Sequence, residues 1–279
     1  MIDKNKCSLH LYQREEVIIN YVLSEKKVVV FWQVNNWKFV RAEFPIPAGL
    51  YSRFTYSSWN SSTMKWVDEM GMNNDTRGSG ISTPCIPKRN GASAWICQLQ
   101  GTKDSWLHFG NAALPPVFTM CSVTRYAGNV TGEVLAGPNF FHGHSQGYTG
   151  VANYNNRMMT NSNNNVTSSN TNWLILCGQN AAPWHFVANS RSVGTARSYD
   201  SISGGHDVGV NICLDGWPCN SSDFAIMEIA IWNKTLSQDE IWIMNNYYSN
   251  ILTPNNIGKR TGYMFTSENS FLDSFDKFQ

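Results

Sequence analysis

Charged residues are scarce in this chain of 279 residues. Lys, Arg, Asp and Glu together make up 15% of it, and the formal net charge at pH 7 is +1. A protein that binds a phosphate backbone needs clustered cations, so the composition argues against a nucleic-acid partner. Long apolar runs are also missing. No segment approaches the roughly 18 apolar residues that cross a bilayer, and we expect no membrane span.

Several catalytic signatures are absent as well, since the sequence has no Gly-rich phosphate loop, Ser nucleophile elbow or Cys-x-x-Cys pair. The seven cysteines leave at least one unpaired within a monomer. Cys213 and Cys219 bracket a short turn, and this spacing predicts a small disulfide loop. Cys121 and Cys177 lie inside apolar runs, where we expect buried thiols that pack as small hydrophobes.

Aromatic residues, at 13%, and turn-forming residues are plentiful. Short apolar runs alternate with Gly, Asn, Ser, Thr and Pro clusters, which is typical of antiparallel strands joined by turns and long loops. One large sandwich with extensions suits the length, because sandwiches of about 200 to 250 residues form single units. Residues 158–171 are rich in Asn and Ser and predict a mobile exposed loop.

The segment 223–248 has the clearest local pattern. Residues 224–232 are apolar except at Glu228, which predicts a strand covered on both faces. Ser237 precedes Glu240 by three residues, the spacing of a reciprocal cap at a helix start. The following helix has one apolar face, formed by Ile241, Met244, Tyr248 and Ile251.

This strand, turn and helix resemble the C-terminal end of a concanavalin A-like (laminin G-type) lectin/glucanase domain. Upstream runs are similar to motifs of the same family, in part to a subgroup found in algae and in the large DNA viruses that infect them: 65–68 with Gly71, Asn74 and Asp75, then 101–107, 114–126, 142–144 and 172–178. The resemblance implies an all-β fold, an antiparallel jelly-roll β-sandwich with one short C-terminal helix, over residues 50–252.

Two extensions flank this predicted domain. Residues 1–49 contain a predicted helix at 13–23 and an apolar strand at 27–34; they form an added sheet edge, a partner-binding arm or the domain's own first strands. Residues 253–279 form a polar tail with scattered aromatics, either an intramolecular latch or an anchor for a neighbouring molecule.

The glucanase branch of the family cuts glycosidic bonds with acids that alternate along one strand as Glu-x-Asp-x-Glu. Here Glu228 has Ile226 and Ala230 at the flanking positions, so the carboxylate pair is missing. We therefore predict that the chain is not an enzyme. A glycoside hydrolase or lyase with a displaced acid pair is the alternative, although no spacing aligns two of the loop acids Asp68, Glu133, Asp207, Asp215 and Asp223.

Metal ligands are few. His142 and His144 lie on the same side of an extended segment, but no spacing argues for His185 or His206 as a third ligand, so we expect packing or loop hydrogen bonds for this pair. The family resemblance implies a Ca²⁺ site built from oxygen ligands, with Asp207 or Asp215 as the carboxylate.

A sugar site combines exposed aromatic rings with fixed polar partners. We predict glycan contacts at Tyr148, Trp184, His185, Trp217 and Asp215. Core packing is the competing interpretation for each aromatic residue, because eleven Trp in one sandwich must be mostly buried.

The resulting hypothesis is a recognition or structural module that binds glycan or a neighbouring protein at a particle or cell surface, such as a minor capsid or attachment protein of a large algal virus. The charged residues 1–7 and the interrupted apolar stretch 17–23 make a poor secretory signal. Either a leader has been removed or the protein reaches the exterior within a virion. A purely architectural assembly subunit is a further alternative.

Overall fold

The computed structural model describes residues 46–72, 76–110, 113–194, 208–211 and 220–254, together with the backbone of four short strands between residues 9 and 42. A 3-10 turn covers Tyr56–Ser58, and helix α1 covers Gln238–Leu252. The strands are β1 (Leu9–Leu11), β2 (Asn20–Ser24), β3 (Lys27–Phe31), β4 (Val40–Ala42), β5 (Leu50–Thr55), β6 (Trp59–Asn60), β7 (Lys65–Trp66), β8 (Thr76–Ser79), β9 (Cys85–Ile86), β10 (Ile96–Cys97), β11 (Leu99–Gly101), β12 (Trp106–His108), β13 (Thr119–Thr131), β14 (Leu135–Gly137), β15 (Phe140–Ser145), β16 (Tyr148–Tyr154), β17 (Arg157–Met158), β18 (Leu174–Gln179), β19 (Phe186–Ala188), β20 (Arg191–Ser192), β21 (Gly209–Val210) and β22 (Ser222–Trp232).

Two antiparallel sheets form the sandwich. The seven-stranded sheet has the order β11-β22-β13-β18-β19-β20, and β5 also pairs with β22. The nine-stranded sheet has the order β17-β16-β15-β14-β21-β12-β8-β7-β6. The predicted all-β sandwich with one C-terminal helix is therefore confirmed for the part of the chain that the structure describes.

The main core lies between the two sheets, because alternate residues of each strand point to the same face. Its largest members are fully buried aromatic and aliphatic side chains, each of which stabilises the fold by about 1.5 to 3 kcal/mol through burial: Phe54, Trp66, Leu107, Phe118, Tyr126, Tyr154, Phe186 and Phe224. Trp66, from the first family-like motif, also donates its indole N–H to the Thr55 carbonyl at 2.6 Å.

A second core lies on the outer face of the seven-stranded sheet, beneath α1 and the hairpin of β9 and β10. The helix begins as predicted. Ser237 Oγ accepts from the Glu240 amide, and the Glu240 carboxylate accepts from the Ser237 amide. Ile241, Met244 and Tyr248 are buried against the sheet, which confirms both the apolar helix face and the strand covered on both sides.

The cysteines differ from the prediction. Cys121 and Cys177 are directly opposite one another on β13 and β18 and form a disulfide, so the expectation of two buried free thiols is wrong. Sequence could not show this, because the strand register decides which side chains meet. Cys85 and Cys97 form a second disulfide, across the hairpin of β9 and β10. The predicted pair Cys213 and Cys219 lies outside the described residues.

A β-bulge changes the face on which Glu228 lies. Val123 pairs with Glu228 and Thr124 with Ile226, so Met227 has no opposite residue. Ile226 packs in the core between the sheets, whereas Glu228 points towards α1 and accepts a hydrogen bond from the Tyr248 hydroxyl at 3.2 Å. The expected same-face relation of Ile226 and Glu228 is wrong because the inserted residue shifts the alternation by one.

Two further local predictions need correction. The predicted helix at 13–23 is wrong at its end, because Asn20–Ser24 is strand β2, which pairs with β3. The apolar strand is present over Lys27–Phe31. The loop at 158–171 is not fully exposed, since Met159, Thr160 and Thr167 are buried. Thr167 and the backbone of Val166 bond to Thr149 on β16, which packs the loop against the sheet.

Candidate functional site

The two sheets differ in what covers their outer faces. Helix α1 and the β9–β10 hairpin cover the outer face of the seven-stranded sheet. On the nine-stranded sheet, inward side chains such as Trp66, Leu107 and Tyr154 fill the core, and the alternating positions face away from it. The outward positions of this sheet are the candidate functional surface.

One row of outward positions runs in register across the whole nine-stranded sheet. Each residue pairs directly with the next: Asn60, Lys65, Arg77, His108, Gly209, Ala136, Phe141, Asn153 and Met158. Asn60 and Arg77 are exposed, while His108, Ala136, Phe141 and Asn153 are half-buried. The residues in the middle of the row are therefore less exposed to solvent than Asn60 and Arg77 at the β6 to β8 end. We call this set of residues, together with Trp106 and Ser79, the outer-face row.

Trp106 gives the outer-face row an exposed aromatic ring. It lies two residues before His108 on β12, on the same face, and pairs with Ser79 on β8. Its side chain is 40% exposed, although its chain neighbour Leu107 is fully buried. An exposed indole between a serine and a histidine combines a flat apolar surface with hydrogen-bonding groups.

The β7, β8 and β12 part of the row is basic. Lys65 pairs with Arg77, and Arg77 pairs with His108. Paired residues on one face have Cβ atoms about 5 Å apart. Two atoms in the row, His108 Nε2 and Asn153 Oδ1, are enclosed and have no hydrogen-bond partner among the residues that the structure describes. The exposed part of the row therefore carries positive charge, while these two atoms of His108 and Asn153 lie below the surface.

The predicted glycan residues do not come together. Tyr148 is 39% exposed and lies where Gly147 bonds to Thr131, at the last residue of β13. Trp184 and His185 are half-buried and follow the loop that begins at Asn180, beside the start of β13. The 13-residue strand between these ends is about 40 Å long. Trp217, Asp215 and the other predicted Ca²⁺ ligand, Asp207, lie outside the described residues, and all of these assignments stay predictions.

Trp184 is partly a core residue. It packs against the cluster between the sheets, as the competing interpretation expected. Burial lowers the pKa of its neighbour His185. Tyr148, in contrast, is not in either core cluster.

Near Tyr148, Glu133 forms a polar rim. Its carboxylate accepts hydrogen bonds from Ser145 Oγ at 3.3 Å and from Asn220 Nδ2 at 3.4 Å. Burial raises the pKa of Glu133, and the two hydrogen bonds oppose that rise. The rim joins three segments that are distant in sequence, so only the folded chain brings them together.

Two of the acids that were expected in loops hold the backbone, and one of them, Asp223, lies in strand β22. Asp68 accepts from the amides of Arg53 and Met70 at 2.9 and 3.0 Å. Asp223 accepts from the amides of Lys103 and Val130, both at 3.0 Å. Asp68 therefore fixes its turn, and Asp223 ties β22 to β13 and to the turn at Lys103.

His142 and His144 are fully buried between the sheets. His142 Nδ1 is 2.7 Å from the Tyr154 hydroxyl oxygen, and His144 Nδ1 is 3.3 Å from Thr124 Oγ1. Burial lowers the pKa of His142 to about 4 and that of His144 to about 3. The expectation of packing and hydrogen bonding is confirmed for this pair.

Within the described ranges, no group of three or more His, Cys, Asp or Glu side chains is placed to hold a metal ion. Over the same ranges, no helix has the length and apolar character that crossing a membrane requires.

Sequence reasoning did not identify the outer-face row as a site. Lys65 and Trp106 were part of the family-like motifs, but their role was not assigned. A usable signal exists, because Lys65 precedes the buried Trp66 and Trp106 precedes the buried Leu107. Strand alternation places the first member of each pair outside. The cross-strand pairing of these short strands is not visible in the sequence.

No family model matches the chain, and no curated protein matches it. Among solved structures, it is similar to a Trypanosoma rangeli sialidase mutant displaying trans-sialidase activity (14% identity, TM-score 0.47, 75% of this chain and 34% of that one). It is also similar to domain 4 of AbnA, a GH43 extracellular arabinanase from Geobacillus stearothermophilus, in complex with arabinotriose (12%, 0.48, 69% and 96%). A third similar structure is the binding domain of Paraclostridial Mosquitocidal Protein 1 (12%, 0.46, 72% and 53%).

The comparison corrects one prediction. Sialidases are enzymes and stand among the similar structures, so the prediction that this chain is not an enzyme is contradicted, and we do not retain it. The chain spans about a third of the length of these sialidases, and their activity is not transferred to it. The assignment to the concanavalin A-like family and its algal and viral subgroup stays a prediction from sequence.

Proposed function

We propose that this sandwich is a glycan-binding module and that it binds sugar on the outer-face row. The observation that carries the proposal is Trp106, an exposed indole on the nine-stranded sheet that pairs with Ser79 and lies diagonally from Arg77. In the described part of the chain, α1 and the β9–β10 hairpin pack on the outer face of the opposite sheet.

The chemistry of the row suits a saccharide. Sugars present C–H faces that pack on aromatic rings, and their hydroxyls need fixed polar partners. Trp106 supplies the ring, and Ser79 and Arg77 on the adjacent strand β8 supply polar groups beside it. Lys65 and Arg77 favour a sugar that carries a carboxylate or sulfate, since cations attract and orient such groups.

The proposed place of action is a virion or an extracellular surface, with glycan or neighbouring proteins as partners, as in a minor capsid or attachment protein. Its support is the sequence resemblance and the two disulfides at Cys85–Cys97 and Cys121–Cys177. Disulfides persist mainly in oxidising surroundings such as cell and virion surfaces.

The test is a glycan array of neutral and acidic oligosaccharides, followed by titration calorimetry with the best ligand. We expect Trp106→Ala to weaken binding by about tenfold or more, because aromatic anchors at binding sites contribute most when truncated. Arg77→Gln is expected to weaken binding of acidic sugars selectively. Folding of each variant is checked by thermal unfolding.

Two matched variants sharpen the result. Trp95→Ala removes an indole that is 65% exposed in the connection between β9 and β10, away from the outer-face row, and should leave binding to that row unchanged. Tyr148→Ala tests the residue predicted from sequence. If Tyr148→Ala abolishes binding and Trp106→Ala does not, the site lies at the Glu133 rim and the proposed face is wrong. The same samples are assayed for release of reducing ends. If release occurs and one Asp or Glu substitution abolishes it, the protein is a glycoside hydrolase, the alternative function.

A further inference from the structure

Arg125 is a buried cation for which the described chain provides no carboxylate. It lies on β13 and is 5% exposed. None of the ion pairs among the described residues includes it. An unpaired charge is costly to bury, so proteins pair buried charges or use them to bind an opposite charge.

The hydrogen bonds of Arg125 leave part of its guanidinium unused. Nε and Nη2 donate to Gln98 Oε1 at 3.4 and 3.3 Å, and Nη1 donates to the Tyr126 carbonyl at 3.0 Å. A guanidinium has five N–H donors, so two have no acceptor among the described residues. Both acceptors are neutral and leave the charge uncompensated.

A second arginine, Arg89, belongs to the segment that packs near Trp173. Arg89 is on the exposed loop between β9 and β10, next to Asn90, whose carbonyl accepts from the Trp173 amide at 2.9 Å. The Arg125 guanidinium carbon lies 5.3 Å from the centre of the Trp173 ring. Burial, and then repulsion by Arg89, lower the pKa of Arg125 to about 10. The Arg89 charge thus acts on Arg125, and the backbone next to Arg89 is bonded to the residue whose ring holds the Arg125 guanidinium.

Trp173 contributes another donor without an acceptor. Its indole Nε1 is enclosed and has no hydrogen-bond partner in the described ranges. The Trp173 ring at the same time holds the guanidinium by a cation–π contact. Gln98 is fully buried between β10 and β11, and its side-chain oxygen holds the guanidinium in place. The arginine is therefore positioned rather than mobile.

We propose that Arg125 and Arg89 bind the carboxylate or sulfate group of an anionic ligand where the β9–β10 hairpin meets β13. The planar guanidinium fork matches the paired oxygens of either group, and the ligand supplies the charge that the described chain lacks. This site uses none of the residues of the outer-face row, and it lies on the opposite sheet.

The test follows thermal unfolding of the whole protein in sodium sulfate, sodium glucuronate and sodium chloride at matched ionic strength. A ligand that binds only the folded state raises the melting temperature with its concentration. We expect sulfate, glucuronate or both to give a saturable rise at millimolar concentration, where the general stabilising effect of sulfate is small. Arg89→Gln should raise the apparent dissociation constant about tenfold, the effect of losing one charge-assisted contact.

Arg191→Gln is the matched control, because Arg191 is an exposed arginine on β20 and should not alter the anion effect. Arg125→Met should abolish the anion effect while the chloride baseline is kept or raised, since an apolar side chain can replace a buried charge without loss. If Arg125→Met does not fold, the anion effect in Arg89→Gln decides whether the proposal holds. An equal response to all three salts, or an anion effect unchanged in Arg89→Gln, would overturn the proposal.

Discussion

Arg53 and Glu228 form a two-point ion pair beneath helix α1. Arg53 Nε lies 2.8 Å from Glu228 Oε1, and Nη2 lies 3.2 Å from Oε2. Glu228 lies on the strand where a glucanase would carry its catalytic acids. Here it is bound to Arg53 on β5 and to Tyr248 on α1. Burial opposes the charge of Arg53, but the Glu228 carboxylate outweighs it and holds the pKa of Arg53 above its usual value.

This pair predicts a non-additive effect on stability. Arg53→Met alone should lower the free energy of unfolding by about 3 to 5 kcal/mol, because it leaves the buried Glu228 carboxylate without a cation. Glu228→Leu alone should cost less, because Arg53 Nη1 still lies 3.8 Å from the Glu69 carboxylate. The double variant should lose much less than the sum. Urea unfolding of the four proteins measures the coupling, and additive losses would show that the pair is not a unit.

The buried histidines predict a loss of stability in acid. Their folded pKa values lie below the unfolded value of about 6.5, so the unfolded state binds more protons between those values. The free energy of unfolding should fall by about 1 kcal/mol per histidine for each unit by which the pH drops from 6 towards 4. His144→Gln should reduce this slope by one histidine's share, as measured by urea unfolding at several pH values. A variant slope equal to the wild-type slope would contradict the assignment.

The two disulfides predict unequal effects on removal. The cysteines of the Cys121–Cys177 pair are 56 residues apart in sequence, and those of the Cys85–Cys97 pair are 12 apart. Replacing both members by Ala should cost about 2 to 5 kcal/mol for the longer loop and about 1 kcal/mol less for the shorter, since closure entropy grows with loop length. Calorimetry of both variants under non-reducing conditions tests this order. Peptide mapping checks the pairings themselves.

The helix cap predicts a smaller, local effect. Ser237→Ala should lower the free energy of unfolding by about 1 kcal/mol because the Glu240 amide loses its acceptor. Ser237→Asp keeps an acceptor and should preserve stability. A loss of equal size in both variants would mean that the hydroxyl has another role.

Local sequence patterns were sufficient to predict structure where a segment's conformation depends mainly on its own residues. The strand before residue 233, the Ser237 cap and the buried face of α1 were all predicted, because hydrophobic alternation, capping and helical spacing act over a few residues. The packing and hydrogen bonding of His142 and His144 were also predicted correctly, because no spacing in the sequence argued for a third metal ligand.

The sequence by itself therefore determined the all-β class, the turns and the C-terminal helix. Only the tertiary structure decided that Cys121 meets Cys177, that the bulge at Met227 turns Glu228 towards the helix, and that Lys65, Arg77 and His108 stand side by side. The physical reason is strand register. A shift of one residue moves every side chain to the other face, and register is set by contacts between segments that lie far apart in the chain.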